Sequence, residues 1–382
     1  MLSKAAILVA DRTFEMRDVP VPEELSPGGG LLKVEGCGIC GTDVEQWHGS
    51  LVRNGLMRYP TILGHEPVGR IARLDEAAER RWGVKVGDRV ALHGIAPCGT
   101  CERCMRQETC ADTLQYGAHP FDVGSGLWGG YSQYMEIVPR TKLFPISNDL
   151  SVEDALLYNP LAAGFSWLIE AGGLRYGDTV LILGSGQRGL ACVLAAVEAG
   201  ASRIIVTGLK RDAVKLDLAR TFGATDTVFA EDQNLLEIVR DLTNGRGTDV
   251  AIDTTPNAFA PVRDAIEAVK TRGTIVLAGV KSGETMPDFP IDTVVYKQIR
   301  ITGVLSTSQW ATQKAIQLIE SRRYPLHLLN THRFPLGQVE QAIRTLAGEI
   351  PGETAIHTSI LFDEDDDRSN TLTEFRVADA MQ

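Results

Sequence analysis

Two patterns of apolar residues divide the chain. Up to about residue 155, short apolar segments are interrupted by glycine and proline, which predicts an irregular domain made mostly of β-strands. The segments expected to form these strands are KAAILVA, GLLKVEG, VGRIARL, GDRVAL and YSQYMEIV. After Asp178, apolar segments alternate with stretches of helical periodicity. Continuous apolar strands between helices indicate a parallel sheet covered on both faces, and therefore an α/β fold.

The second pattern predicts a doubly wound parallel sheet. Its expected strands are TVLILG, RIIVTG, TDVAIDT, GTIVLAGV and IRITGV, and its expected helices span about 187–199, 212–222 and 261–269. Residues 151–172 also have helical spacing, with Ser151 as the expected N-cap. After Val304, a helix containing TQKAIQLIESR and a strand containing AIHTSILF are expected to return to the first domain.

These patterns give four expected segments. Residues 1–158 form the first domain, with a cysteine-rich lobe at about 94–115, and residues 159–306 form the second. Residues 307–363 return to the first domain. Residues 364–382 are acidic and lack an apolar face, so we expect a solvated extension.

Composition narrows the function. A length of 382 residues is too great for one ordinary core, which agrees with two domains. The net charge of −11 argues against binding to nucleic acid or to an anionic membrane. No apolar run reaches membrane-spanning length and no secretory signal is seen, so we expect a cytoplasmic protein.

Four of the seven cysteines crowd into one short segment. They are Cys98, Cys101, Cys104 and Cys110. A secreted disulfide framework would spread its cysteines more widely, whereas four thiolates at this spacing can surround one tetrahedral zinc ion. A closed Cys₄ site stabilises the fold and performs no chemistry, so we interpret the lobe as a structural zinc site.

A second metal site is predicted from two loops. Cys40 lies in GCGICGTD and His65 in GHE, and thiolate and imidazole are typical zinc ligands. Two strong ligands leave the shell incomplete, which marks a catalytic zinc; Glu66 could complete it directly or through water. Asp43 could hold the tautomer of His65 from behind, whereas Cys37 is expected to stay off the metal. Thr42 is placed to start a proton relay.

A glycine-rich loop predicts a nucleotide site. It follows the strand TVLIL and opens an apolar helix, the context in which GxGxxG is informative. The loop residues are Gly184, Ser185, Gly186, Gln187, Arg188 and Gly189. The helix N-terminus would receive a pyrophosphate. A zinc with an open position beside a nicotinamide predicts alcohol oxidation or carbonyl reduction by hydride transfer.

The next strand leaves the choice of cofactor open. RIIVTG ends at Gly208, without the carboxylate that binds the ribose hydroxyls of NAD, and Lys210 and Arg211 follow. Two cations could pair with a 2′-phosphate, which favours NADP. Alternatively, both are solvated loop charges, and Asp212 or backbone groups hold the ribose of NAD.

Together these motifs resemble the zinc-containing medium-chain alcohol dehydrogenases. GICGTD, GHE, GDRV, the four-cysteine lobe, GLWGGYSQY and the nucleotide loop occur in the family's order, from about residue 5 to 362. The resemblance implies a GroES-like catalytic domain, a Rossmann domain, an active site in the cleft between them, and a homodimer or homotetramer. It also implies two zinc ions per chain, with Cys40, His65 and Glu66 at the catalytic one.

The chain departs from the family at three points. Glu45 stands where histidine is frequent, so Glu45, His48 or water would carry the proton outward. Asn159 stands where the family has a cysteine or glutamate ligand, and the last gap of the cysteine lobe is shorter than usual. Large aromatic residues are candidates for a substrate pocket or for packing alone. They are Trp47, Tyr116, Trp128 and Phe165.

The sequence therefore predicts a zinc-dependent, NAD(P)-linked alcohol dehydrogenase or carbonyl reductase acting on a small molecule. A polyol or amino-alcohol dehydrogenase of the sorbitol or threonine type shares the same machinery. Two other classes are weighed against it: a non-catalytic nucleotide-binding protein, which would not need an open metal site, and a zinc-independent enoyl reductase, which would not need either cysteine motif.

Overall fold

The chain forms two compact units. The computed structural model describes residues 1–106, 108, 110 and 112–362. The predicted acidic extension at 364–382 lies outside these residues, as does residue 363. One unit combines Met1–Leu157 with the described residues from Ile319 onward, and the other comprises Tyr158–Leu318. Among the helices that the structure describes, none has the length and apolar character needed to cross a membrane.

Strands and helices are numbered in chain order. The strands are β1 (Leu2–Ala10), β2 (Thr13–Pro20), β3 (Gly30–Ile39), β4 (Thr61–Ile62), β5 (Glu66–Leu74), β6 (Arg89–Leu92), β7 (Ile95–Pro97), β8 (Thr113–Gln115), β9 (Tyr134–Ile137), β10 (Leu143–Pro145), β11 (Thr179–Leu183), β12 (Arg203–Gly208), β13 (Asp226–Phe229), β14 (Thr248–Asp253), β15 (Val269–Leu277), β16 (Arg300–Gly303), β17 (Asn330–Pro335) and β18 (His357–Leu361). The α-helices are α1 (Gly41–Trp47), α2 (Ser50–Arg53), α3 (Glu76–Trp82), α4 (Glu102–Met105), α5 (Val152–Leu156), α6 (Tyr158–Gly164), α7 (Gln187–Glu198), α8 (Ala213–Thr221), α9 (Leu235–Leu242), α10 (Ala260–Ala268), α11 (Ile291–Lys297), α12 (Gln309–Ser321) and α13 (Val339–Leu346). A π-helical segment covers Phe165–Ala171, and short 3₁₀ turns cover Lys210–Asp212, Leu326–Leu329 and Leu336–Gln338.

The first unit is organised around β3. In its seven-stranded sheet, β10, β6, β5, β3, β18 and β17 follow one another, and β9 also pairs with β3. Most residues of β3 are buried, because the strand is covered on both faces. Strand β3 runs antiparallel to β5, so the end of β3 at Ile39 and the start of β5 at Glu66 lie at the same edge of the sheet. The two predicted zinc-binding loops leave this edge.

The second unit is a doubly wound domain, as predicted. Its six strands are all parallel, in the order β13, β12, β11, β14, β15, β16. Numbered within the unit, this is the order 3-2-1-4-5-6 of dinucleotide-binding folds. Apolar residues of β11 are buried on both faces, as a sheet covered by helices requires. The strand order reverses between β11 and β14, and ligands of such sheets bind beyond the carboxyl ends of the strands at this point.

The helical spacing of residues 151–172 corresponds to three consecutive helical segments rather than one helix. Ser151 is the N-cap of the first segment as expected, with Oγ accepting from the amide of Asp154 at 3.1 Å. Helix α5 nevertheless ends at Leu156, and α6 and the π-helical segment follow. Pro160 explains the break, because it has no N–H to donate to the carbonyl four residues earlier and its ring clashes there.

Several elements were not predicted. They are β2, β4, β7, β8, β10, β13, β17, α1, α2, α3, α4, α9, α11 and α13, together with the short turns. Most residues of β2 are exposed, so its sequence lacks the alternation that marks a half-buried strand. Strand β18 pairs with β3, and the unit boundary at Leu318 falls within α12, later than the expected boundary between 306 and 307.

Candidate metal and cofactor sites

The sheet edge of the first unit brings Cys40 and His65 together. Cys40 directly follows β3 and is the N-cap of α1, where its Sγ accepts from the amide of Thr42 at 3.2 Å. His65 directly precedes β5. The Sγ atom of Cys40 lies 3.3 Å from Nε2 of His65. Two soft donors are thus fixed by neighbouring strands at a separation that one zinc ion could bridge.

Asp43 lies on the side of the His65 imidazole opposite Cys40. Its carboxylate is fully buried and accepts from the amide of Cys40 at 2.9 Å and from that of Gly64 at 3.3 Å. One oxygen lies 3.6 Å from Nδ1 of His65. Nδ1 therefore faces a carboxylate and Nε2 faces the thiol, which is the arrangement that orients a zinc-binding histidine. Ligand atoms of Cys40, Asp43 and His65 all lie within 4.8 Å of one another.

The electrostatics of this cluster favour a cation. Burial lowers the pKa of His65, but the electrostatic interactions and hydrogen bonds with Cys40 and Asp43 outweigh it and raise the pKa well above its ordinary value. Burial, followed by the charge of Asp43, raises the pKa of Cys37 well above its ordinary value. Burial and the charge of Asp43 therefore favour the neutral thiol of Cys37, whereas a bound cation would offset the charge of the Asp43 carboxylate.

Glu66 lies next to this group and does not belong to it. Its carboxylate is fully buried, and Oε1 is 3.8 Å from Nε2 of His65. Glu66 is not among the residues whose ligand atoms fall within 4.8 Å of one another in the described part of the chain.

The three residues considered for a proton relay have different surroundings. Thr42 is half-buried beside the thiolate, and its amide is bound to Sγ. The carboxylate of Glu45 accepts from the hydroxyl of Ser50 at 2.6 Å. His48 lies on Trp47, with ring centroids 5.0 Å apart, and its Nε2 is 3.1 Å from the carboxylate of Glu349. Glu45 and His48 thus have polar partners of their own, and Thr42 alone contacts Cys40.

The four-cysteine lobe has the geometry of a closed zinc site. All four Sγ atoms lie within 4.8 Å of one another, and the thiols are free. Sγ of Cys98 is 3.8 Å from that of Cys104 and 3.5 Å from that of Cys110, and Sγ of Cys101 is 3.8 Å from that of Cys110. Four sulfurs about 2.3 Å from a tetrahedral zinc lie about 3.8 Å apart, so the separations fit this ion.

Backbone amides support thiolates in this lobe. The amides of Thr100 and Cys101 lower the pKa of Cys98 to about 6. The amide of Cys98 is 3.4 Å from Sγ of Cys110 and lowers the pKa of that thiol. These N–H groups favour the charged form of Cys98 and Cys110, whereas burial raises the pKa of Cys104 to about 12.

The glycine-rich loop lies at the carboxyl end of β11, where the strand order reverses. Gly184 has φ of +104°, a conformation that favours glycine. A side chain at Gly189 would clash with the carbonyl oxygen of Gly184, so its absence allows α7 to approach the strand. A Cβ atom at Gly186, the N-cap of α7, would meet nothing within 4 Å. The space in front of this helix N-terminus is open, as pyrophosphate binding requires.

Two buried polar atoms of the loop fit a bound phosphate. Within the described residues, Oγ of Ser185 and Nε2 of Gln187 have no hydrogen-bond partner. Such groups are normally satisfied, and each can donate to an anion. A Cβ atom at Gly208 would lie 2.7 Å from Oγ of Ser185, so the glycine at the end of β12 leaves room for this hydroxyl.

Arg188 and Asn159 contact each other within the second unit. Arg188 donates to the Asn159 carbonyl at 3.0 Å and to its Oδ1 at 3.1 Å. The guanidinium also lies over the ring of Trp167, 5.6 Å from its centroid. Arg188 therefore fixes Asn159 at the start of α6, and the oxygen considered as a zinc ligand already accepts one hydrogen bond.

The two cations after β12 differ from each other. Nζ of Lys210 lies 2.8 Å from the carboxylate of Asp232, and its amide donates to Glu231 at 2.5 Å. Arg211 is exposed. Asp212 lies 2.9 Å from Lys215 and accepts from the amide of Leu209 at 3.3 Å. The charge of Lys210 is thus matched by a carboxylate, and Arg211 is the better placed cation for an added phosphate.

The aromatic candidates have packing roles. Tyr116 is buried and its hydroxyl lies 2.7 Å from that of Thr141, while burial raises its pKa to about 12. The indole N–H of Trp128 donates to the carbonyl of Val123 at 2.6 Å. Trp47 is buried in the core of the first unit, and Phe165 packs edge-to-face on Trp310.

A polar cluster after β14 was missed by sequence analysis. Asp253 is fully buried and binds Nζ of Lys281 at 2.7 Å and the hydroxyl of Thr255 at 2.5 Å. Thr254 donates from its hydroxyl to the carbonyl of Leu183 at 2.9 Å, next to the glycine loop. The signal was the run DTTP directly after an apolar strand, because the carboxyl ends of parallel strands share one edge.

The fold, the two zinc-type donor sets and the glycine loop define a zinc-containing, nicotinamide-dependent oxidoreductase. Residues 26–148 match the family model described as an alcohol dehydrogenase GroES-like domain, and residues 189–321 match that of a zinc-binding dehydrogenase. The chain belongs to the zinc-containing medium-chain alcohol dehydrogenase family. It is an enzyme that transfers a hydride between a CH–OH group and NAD(P), as the motifs predicted.

Individual relatives agree with this family. A Mycobacterium tuberculosis protein named "Probable alcohol dehydrogenase adh" is 38% identical over 363 residues, which cover 93% of this chain and 97% of that protein. Sorbitol dehydrogenase of Bacillus subtilis is 31% identical over 342 residues, covering 89% and 92%. A solved structure of a zinc-binding dehydrogenase from Sinorhizobium meliloti, bound to NADP, has a TM-score of 0.80 and 25% identity, covering 95% of this chain and all of that one.

Proposed function

We propose that this enzyme interconverts a small alcohol and its aldehyde or ketone at a zinc held by Cys40 and His65. The observation that carries the proposal is the 3.3 Å separation of Sγ and Nε2, with Asp43 behind the imidazole. When bound, zinc lowers the pKa of a hydroxyl group on the alcohol and polarises the carbonyl group in reverse. Glu66 or water completes the shell, and Oε1 of Glu66 lies 3.8 Å from Nε2 of His65.

The residues near Cys40 also bear on how the proton of the substrate leaves the site. Thr42 adjoins the thiolate, so its hydroxyl is the proposed first acceptor of the substrate proton. Glu45 and His48 are the other residues considered for the proton relay. Glu45 is hydrogen-bonded to Ser50, and His48 contacts Glu349. We therefore propose that water carries the proton outward and that Glu45 and His48 contribute through these contacts rather than by direct transfer.

We also propose that each chain holds two zinc ions, with the Cys₄ lobe as the structural site. The first domain, 1–158 with 307–363, would act as the catalytic domain and 159–306 as the cofactor domain. The sulfur separations in the lobe support the second ion. A site of four thiolates requires a reducing compartment, so we propose a cytoplasmic enzyme.

For the cofactor we propose NADP, bound at the glycine loop with Arg211 beside its 2′-phosphate. Strand β12 ends in Gly208 and offers no carboxylate for the ribose, and Arg211 is exposed. Lys210 is the weaker partner, because Asp232 already neutralises it. The NADP-bound structural relative supports the same choice.

We propose a homodimer or homotetramer that uses the edge of the second unit. Strand β16 is the last strand of its sheet, so one side of its backbone lacks a neighbouring strand. Large apolar residues are exposed on the segments around it. They are Ile291, Val295, Tyr296 and Leu305. An open strand edge with apolar surroundings favours pairing with a second copy of the chain.

A substrate panel tests the proposal. Primary and secondary alcohols, polyols such as sorbitol, amino alcohols and the matching carbonyl compounds are assayed with NAD and NADP. Turnover of a simple alcohol or carbonyl supports the main proposal. A preference for sorbitol favours the polyol alternative, which the Bacillus subtilis relative supports. Absence of turnover across the panel, in protein that holds both zinc ions, would contradict the proposed substrate class.

A further inference from the structure

One face of the first unit's sheet places three polar groups around a glycine. Glu66 lies opposite Gly38 on β5, and Ser359 lies opposite Gly38 on β18. His357 is two residues before Ser359, and side chains alternate along a strand, so His357, Gly38 and Glu66 share one face. Cys40, two residues after Gly38, continues that row at the end of β3. These residues therefore lie on one face of the sheet, between the interior of β3 and the end of β3 that carries Cys40.

The carboxylate of Glu66 and the imidazole of His357 both approach the space that a side chain at Gly38 would occupy. A Cβ atom at this position would lie 2.8 Å from Oε2 of Glu66 and 3.2 Å from Nε2 of His357. Glu66 is fully buried and His357 is 1% exposed. Both side chains therefore extend into a small buried space that the absence of a side chain at Gly38 leaves open.

The imidazole of His357 is held by its other nitrogen. Nδ1 donates to Oδ1 of Asn330 at 3.0 Å, and Nδ2 of Asn330 donates to Asp154 at 3.1 Å. Asn330 is the register partner of His357 on β17. Because Asp154 fixes the amide and the amide fixes Nδ1, the ring directs Nε2 toward Glu66.

We propose that His357 is a positioning residue for the Glu66 carboxylate and sets its distance from the metal held by Cys40 and His65. This inference rests on the proposed function. Oε2 is drawn to the His357 side, while Oε1 stays 3.8 Å from Nε2 of His65. A buried carboxylate needs polar partners, so removal of the imidazole turns Glu66 toward the metal, where it occupies the position needed by the alcohol.

The expected effect is on the metal environment as well as on the rate. In His357→Leu, kcat falls about 10- to 100-fold, the range typical of residues that orient metal ligands. KM for the cofactor is unchanged. With cobalt in place of zinc, an added carboxylate oxygen weakens and shifts the visible absorption bands, because these bands report coordination number. Asn330→Ala, which frees the ring without touching Glu66, changes the spectrum in the same direction by a smaller amount.

The matched control is His332→Leu. His332 lies on the neighbouring strand β17, and its Nε2 is 2.9 Å from Glu353. Both variants keep the cysteine lobe, so its cobalt bands cancel when the His332→Leu spectrum is subtracted from that of His357→Leu. The remaining difference reports the change at the site of Cys40 and His65. Adding Glu66→Gln to His357→Leu should abolish most of the spectral change, because the moving carboxylate is then absent.

The outcomes separate this inference from the proposed function. A cobalt spectrum unchanged in both His357→Leu and Asn330→Ala, with any loss confined to thermal stability, would show that His357 is only structural. The same spectral change in His332→Leu would also overturn the proposal. Failure of wild-type protein to bind metal at Cys40 and His65 would instead refute the proposed function, and metal content per chain reports this separately.

Discussion

Sγ of Cys40 lies 3.3 Å from Nε2 of His65, although 25 residues separate them in the chain. The antiparallel pairing of β3 with β5 creates this contact, and Asp43 fixes the imidazole from behind. The cysteine lobe, by contrast, gathers its sulfurs within one short segment. The two proposed metal sites are therefore built from separate segments of the chain, and each can be removed by its own substitution.

Loss of the lobe should reduce stability more than chemistry. Cys104→Ser is expected to remove one zinc per chain and to lower the free energy of unfolding by at least about 3 kcal/mol, as loss of a structural metal does. Calorimetry and metal analysis measure both effects. Cys192→Ser, at a buried free cysteine of α7, controls for the exchange itself and should keep both ions. Equal metal content in the two variants would contradict the assignment of the lobe.

A substitution in the glycine loop should weaken cofactor binding without lowering the stability of the fold. A Cβ atom at Gly186 would meet no other atom within 4 Å, so Gly186→Val should keep the thermal midpoint but weaken NADP binding at least about tenfold, because the added side chain fills the space in front of the helix. Titration with the cofactor measures the dissociation constant. Gly337→Val, also without neighbours, is the control and should bind normally. Unchanged affinity in Gly186→Val would place the phosphates elsewhere.

Cofactor choice should depend on one cation. Arg211→Ala is expected to raise KM for NADP about tenfold or more, with little change for NAD, because a charge-assisted contact to the 2′-phosphate is lost. Lys210→Ala should have a smaller effect, since Asp232 already pairs with this lysine. Steady-state kinetics with both cofactors measure the ratio. A large preference for NAD in the wild type would show that neither cation has this role.

The sequence predicted what local chemistry determines. Four cysteines in one segment, GxGxxG after an apolar strand, and Cys40 with His65 were visible because spacing and residue type carry the signal. The contact of Arg188 with Asn159 and the approach of His357 to Glu66 depend on pairings between distant segments, which periodicity does not encode. Pro160 lies within the segment that follows Ser151, and a proline inside a helical segment indicates a break in the helix.

Association should depend on the edge of the second unit. Leu305 is 91% exposed beyond β16, and Leu305→Glu is expected to shift the protein toward the monomer in sedimentation experiments, because a charge in an apolar interface is costly. Leu56→Glu introduces the same charge at an exposed leucine of the first unit and should leave the assembly unchanged. A wild-type monomer, or dissociation by both variants alike, would contradict this surface as the interface.

The most direct test of the catalytic site is the zinc content of Cys40→Ser. Wild-type protein should contain two zinc ions per chain, whereas the variant should contain one, retain the ion of the cysteine lobe, and lose alcohol and carbonyl turnover, because a thiolate ligand has been replaced by a weak donor. Metal analysis and activity are measured on the same preparation. Two zinc ions in the variant, or full activity after the substitution, would contradict a catalytic zinc held by Cys40 and His65.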